Sequence, residues 1–221
     1  MALLYFHWWF ILNLTLVAGQ YYVLKGREAI LTPSLPKAPD DILWKHNGDK
    51  VITFNTAEEC VFGSYEGRVT LAWTTAELSI ADVRYEDSGE YELEAFIGDR
   101  PHQSQFMLKV LDKVSVPVIR CEMSEESGDG HNRSATLLCS SESDTPEALT
   151  IKWNVDGESH QGQTLPIALG NKQDDITYSC TANNPLLQET SSFMAKDCYT
   201  GSTTSKELLR LRMYLYLYSY S

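Results

Sequence analysis

Between residues 20 and 200 the apolar positions fall in short runs that alternate with polar ones, the period of a strand with one face buried. Residues 42–46 (Ile-Leu-Trp-Lys-His), 50–54, 68–80, 90–96 and 105–111 read as strands, after a pair of strands over 21–35 that Pro33 interrupts. The Asn47-Gly48 dipeptide between the first two of these runs marks a tight hairpin. Residues 55–67 lack the alternation and are expected to be irregular, and Gly98-Asp99-Arg100-Pro101 reads as a loop. From Val116 the pattern starts again, with runs over 116–121, 135–140, 150–153 and 176–180 and a turn at Asp156-Gly157. Many short strands punctuated by turns predict an all-β chain of two tandem sandwiches.

Residues 78–93, Leu-Ser-Ile-Ala-Asp-Val-Arg-Tyr-Glu-Asp-Ser-Gly-Glu-Tyr-Glu-Leu, narrow the architecture. Strand, acidic turn, then a strand opening on Tyr91 is the E–F corner of an immunoglobulin sandwich, where a tyrosine hydroxyl bonds back to upstream backbone. Trp44 takes the place of the buried strand-C tryptophan, and Arg68 is placed to pair with Asp87 across the base of the sandwich. Leu31 and Leu93 stand where the inter-sheet cysteines are usual, so residues 20–112 are expected to form a variable-type domain without a disulfide. Two buried leucines at about 1.5–3 kcal/mol each offset much of that loss. In residues 113–200, Cys139, Trp153, Tyr178 and Cys180 repeat the signature with its cysteines in place. The Trp153–Cys180 stretch is too short for C′ and C″ strands, so this half is expected to be a constant-type (C2) domain.

Four of the five cysteines lie in the second half, and four allow three connectivities. The immunoglobulin signature selects Cys139–Cys180, leaving Cys121 and Cys198 to clamp the first strand of that domain to the last. No Cys-x-x-Cys occurs, and no metal site or cofactor is expected. Cys60 is left over and reads as an inert, half-buried thiol, with an interchain disulfide as the alternative; Glu58 and Glu59 beside it raise its pKa. Asn132-Arg133-Ser134 is the one glycosylation signal outside the leader.

Charge and termini change the picture in one direction. The chain has 221 residues and a formal charge of -12, with 9 basic and 16 acidic side chains over 20–112 and 6 and 13 over 113–200. An acidic chain without a basic stripe argues against nucleic acid. Residues 1–19 carry no charged side chain and end in small residues, the pattern of a secretory leader, which implies an oxidising, extracellular setting. Residues 201–221 are an apolar, tyrosine-rich tail interrupted by Arg210 and Arg212, too short to span a membrane. With Gly201-Ser202 before it, the tail is either a lipid-anchor signal or the end of a soluble form. Catalysis is not expected: the histidines outside the leader are isolated in sequence, and no hydrolase elbow, zinc-protease or phosphate-loop motif occurs.

Trp44, Arg68, Leu78, Ile80, Asp87, Gly89 and Tyr91, followed by Cys121, Cys139, Trp153, Tyr178, Cys180, Asn184-Pro185 and Cys198, resemble the SLAM-type lymphocyte adhesion receptors over about residues 20–200. The resemblance implies a cell-surface recognition protein of leukocytes that binds another immunoglobulin receptor, or itself, through the G-F-C-C′ face of its first domain. Alternation identifies that face independently. With Trp44, Leu93 and Phe106 pointing inward, Leu43, Lys45, Glu92, Glu94, Met107 and Lys109 point outward. Asp99 and Arg100 in the F–G loop complete the candidate partner-binding set. No tyrosine signalling motif follows the second domain, so a short ligand-type member is expected, with a secreted decoy as the alternative.

Overall fold

The computed structural model describes residues 17–124, 133–170 and 173–199, and the chain divides between Leu111 and Asp112 into two compact units. Residues 1–16 of the expected leader, Asn132 and the tail 201–221 lie outside the described residues; Val17 to Gly19 are the first residues of a strand.

In the first unit, β1 (Val17–Leu24), β2 (Ala29–Leu31), β3 (Asp41–His46), β4 (Asp49–Asn55), β5 (Glu58–Val61), β6 (Val69–Ala72), β7 (Glu77–Ile80), β8 (Gly89–Ile97) and β9 (Arg100–Leu111) form two sheets. One has the order β1-β9-β8-β3-β4-β5, the other β2-β7-β6. All pairings are antiparallel except β1 with β9. This is the A′GFCC′C″ and BED arrangement of a variable-type sandwich.

Two sequence expectations are corrected here. Residues 58–61 are not irregular but form the C″ strand β5, with Cys60 opposite Thr53. At the sheet edge none of its side chains is fully buried, so it carries no alternating signal. The F–G connection is only Gly98-Asp99, because β9 begins at Arg100 and pairs Pro101 with Phe96. Gly98 takes a φ of 60°, and its N–H donates to the Asp40 carboxylate at 2.7 Å, which closes the hairpin tip.

The register between β3 and β4 shifts after Trp44, which turns both Val51 and Ile52 inward. Leu31 and Leu93 are fully buried in the same apolar cluster as Trp44, Leu78, Ile80 and Phe106. The Trp44 indole N–H donates to the Ala76 carbonyl at 2.9 Å, so the buried ring leaves no polar atom unmet.

The base of this sandwich is fastened by charge. Arg68 donates two hydrogen bonds to the Asp87 carboxylate, at 2.9 and 3.0 Å, and the Arg84 backbone N–H donates a third at 2.8 Å. The Tyr91 hydroxyl donates to the Asp87 carbonyl at 3.0 Å. Burial raises the Asp87 carboxyl, but the Arg68 and Arg84 hydrogen bonds and the Arg68 charge outweigh it and hold the group below its ordinary range.

The second unit comprises β10 (Val118–Met123), β11 (Arg133–Ser140), β12 (Thr150–Val155), β13 (Glu158–Gln161), β14 (Thr164–Leu169), β15 (Thr177–Asn183) and β16 (Gln188–Met194). Its sheets run β10-β11-β14 and β13-β12-β15-β16. The C′ strand excluded on spacing is present as β13. The turn at Asp156-Gly157 takes only two residues, and the chain then crosses directly to β14 in the other sheet with no D strand between. Disulfides join Cys139 to Cys180 between the sheets and Cys121 to Cys198. Each contributes about 4 kcal/mol on the loop-entropy estimate. Trp153 is fully buried beside the Cys139–Cys180 pair.

Removing one partner of the buried ion pair leaves the other uncompensated. Arg68→Ala is expected to destabilise the first unit by about 3–5 kcal/mol, measured by urea unfolding. Because the Asp87 carboxyl is lowered in the folded state, its stabilisation is complete above about pH 4 and is lost as pH falls through the folded value. Urea midpoints recorded down this acid range should fall more steeply for the parent chain than for Asp87→Asn, whose curve lacks this component.

Candidate recognition face

The outward face of the six-stranded sheet is laid out by its register. Leu43 on β3 stands opposite Glu94 on β8, which stands opposite Gln103 on β9; one step down, Lys45 stands opposite Glu92 and Glu92 opposite Gln105. Met107 follows opposite Glu90. Extending the first row the other way reaches Thr53 and then Cys60. Leu43, Lys45, Glu92 and Glu94 are half-buried by one another, while Met107, Asp99 and Arg100 are exposed.

Lys45 does not bond the carboxylate directly across from it. Its ammonium reaches diagonally to Glu94 at 2.6 Å. That hydrogen bond outweighs partial burial and, with the charges of Glu94 and Glu92, raises the Lys45 pKa. Lys45 and Glu94 therefore satisfy each other, and Glu92 has no ion-pair partner within salt-bridge distance among the described residues.

The eight sequence-selected positions do not form one cluster. Leu43, Lys45, Glu92 and Glu94 make a compact centre with Met107 beside it. Arg100 and Lys109 lie at opposite ends of β9, about 30 Å apart at the usual rise per residue. Lys109 is beyond the last residue of β9 that pairs with β8 and pairs with Tyr22 of β1 instead.

Sequence reasoning missed the top of the face. Asp41, Leu43, Thr53, Asn55, Glu94 and Phe96 surround a shallow depression of about 220 Å³, with Phe96 42 % exposed. The same alternation that selected Glu92 and Glu94 extends to Phe96, and an outward Phe at the end of a strand was the available signal. Cys60 belongs to this face too; burial, then the Glu58 carboxylate, keep its thiol above the ordinary value. Among the described residues no cluster of His, Cys, Asp and Glu is arranged to hold a metal.

No family model matches the chain. It is 26 % identical over 195 residues to human lymphocyte function-associated antigen 3, covering 84 % of this chain and 72 % of that protein. It is 27 % identical over 164 residues to mouse SLAM family member 5, covering 71 % of this chain and 48 % of that protein. The chain is a relative of the CD58 and SLAM-type adhesion molecules. The fold agrees: a solved structure of the CD2-binding domain of CD58 (lymphocyte function-associated antigen 3) aligns with a TM-score of 0.58 at 21 % identity, over 79 % of this chain and 95 % of that one. Murine CEACAM1b aligns with a TM-score of 0.62 at 20 % identity, over 78 % and 94 %. The chain is thus a protein of two immunoglobulin-like sandwiches that is similar to cell-adhesion and recognition molecules. No helix among the described residues is long and apolar enough to cross a membrane.

Glu94→Ala should release Lys45 while moving the urea midpoint of the first unit little, since a half-exposed pair of this kind adds little to stability. The freed amine should react faster with an acylating label at mildly alkaline pH, read by peptide mass spectrometry, because the hydrogen bond that raises its pKa is gone.

Proposed function

We propose that this protein is a leukocyte surface ligand that docks the outward G-F-C-C′ face of its first unit on another immunoglobulin receptor. The observation that carries this reading is the composition of that face. A mixed-charge centre at Lys45, Glu92 and Glu94 is set between two exposed apolar side chains, Phe96 and Met107. A charged centre gives selectivity and salt dependence, and the apolar positions supply desolvated contact. The CD58 structure is described as a CD2-binding domain, which supports a heterologous partner for this chain as well. Attachment through a lipid at the tail fits the same reading, and weak pairs between apposed cells gain strength by multivalency.

The test is binding of the full chain, displayed on beads, to a panel of leukocytes. Leu43→Arg or Glu92→Lys should lower bead binding at least about tenfold, within the range of central interface residues. Ile30→Arg, on an exposed position of the other sheet, should leave it unchanged. Binding of the parent should weaken as ionic strength rises through the screening range. Equal binding by all three variants overturns the assignment of the face. Phospholipase release of surface-displayed chain separates a lipid-anchored ligand from a secreted decoy, which collects in the medium.

A further inference from the structure

His46 closes β3 at the base of the first unit, and every polar atom of its ring has a neighbour. Nδ1 lies 2.7 Å from the Tyr65 hydroxyl, and that hydroxyl lies 3.1 Å from the Tyr91 hydroxyl. Tyr91 donates its single proton to the Asp87 carbonyl. The other ring nitrogen, Nε2, lies 3.1 Å from the Ser88 carbonyl and 3.0 Å from the Asn47 side-chain nitrogen. The ring stacks on Tyr91 with centroids 4.5 Å apart. Asn47 is fixed in turn, because its side-chain oxygen accepts the Glu90 N–H at 3.0 Å and its own N–H donates to the Glu90 carbonyl at 2.9 Å. A Cβ at Gly89 would come within 2.5 Å of His46 Nε2 and of the Asn47 side-chain oxygen, so any larger residue there must displace these side chains.

Counting protons along this line gives an assignment that, for the neutral ring, uses every one of these contacts except that to the Ser88 carbonyl. The Asp87 carbonyl can only accept, so Tyr91 spends its proton there and offers Tyr65 an oxygen. Tyr65 then donates to Tyr91, and its oxygen is left to accept from His46 Nδ1–H. Burial pushes both phenols above their ordinary values, so each keeps the proton this count requires. In this assignment Nδ1 carries a hydrogen throughout, and Nε2 is the nitrogen that gains or loses one. Without a proton it can accept only from the Asn47 amide; with one it can donate only to the Ser88 carbonyl.

We infer that His46 is a proton-operated selector: neutral, it ties strand β3 to the C–C′ turn through Asn47, and protonated, to the E–F corner through Ser88. The titratable and charged groups around it are Tyr65 from the 3-10 turn before β6, Glu90, Tyr91 and Glu92 from β8, Asp49 opposite it on β4, Asp87 from the E–F turn and Arg68 beyond that. Asp87 faces the ring from the corner side, so protonation also adds an attraction across the same gap.

Nitrogen NMR of the full chain with isotope-labelled histidine tests the inference. Above the titration of His46 the ring should show a protonated Nδ1 and a bare Nε2, and Tyr65→Phe should lose this single tautomer. As pH is lowered through the titration, the Asn47 side-chain amide and the Ser88 carbonyl should shift with the same midpoint as Nε2. The protection factor of the Glu90 amide, which Asn47 anchors, should fall by about 3- to 10-fold after correction for the intrinsic pH dependence of exchange, the loss of a fraction of one net hydrogen bond. A neutral ring with its proton on Nε2 overturns the proton count. An Asn47 amide and a Ser88 carbonyl that stay fixed while His46 titrates overturn the selector even if the tautomer is correct.

Discussion

The first unit depends on one buried ion pair. Arg68 enters the D strand and Asp87 sits on the turn into the F strand, so two sheets that share no disulfide are fastened where the chain crosses between them. A buried pair of this kind costs desolvation that its Coulombic attraction only roughly repays. Its value is geometric. Two parallel bonds set the angle of the turn, the Arg84 N–H sets its depth, and the Asp87 carbonyl then lies where the Tyr91 hydroxyl can reach it. Tyr91 in turn orients Tyr65 and the imidazole stacked on its face. Strand β8, which supplies Glu92 and Glu94 to the outward face, starts from this corner.

That outward face is built by the same periodicity that fills the core. Tyr91, Leu93 and Ala95 go in, and Glu92, Glu94 and Phe96 come out. Apolar packing on one side thereby holds charges on the other at fixed spacings of one strand separation and one pleat. The Lys45–Glu94 bond uses a diagonal of this lattice and leaves Glu92 facing outward beside it.

Both sandwiches and the pairing of the four second-half cysteines were legible because each rests on long-range residue types with few substitutes: a tryptophan that fills the centre, a tyrosine with a hydroxyl to place, a cysteine that must find another. What escaped notice carries weaker local signals. Strand β5 lies at an edge with no buried side, so its sequence, Glu-Glu-Cys-Val, is free of alternation. Strand β13 is exposed along its whole length for the same reason. His46 reads as isolated in sequence because Tyr65, Ser88 and Tyr91 come to it only after the E–F corner has formed. Six of the eight candidate contact residues were picked by direction alone, and direction does not say how far apart along a strand two outward side chains lie.

The two units differ in how they answer to a reducing environment. The second carries both disulfides, and thiol reagents that open Cys139–Cys180 and Cys121–Cys198 take away its cross-links. The first is held by Leu31, Leu93 and an ion pair, none of which has a redox state. Its one cysteine, Cys60, is already a thiol. A pulse of reductant would therefore cut the cross-links of the second unit and leave every fastening of the first in place.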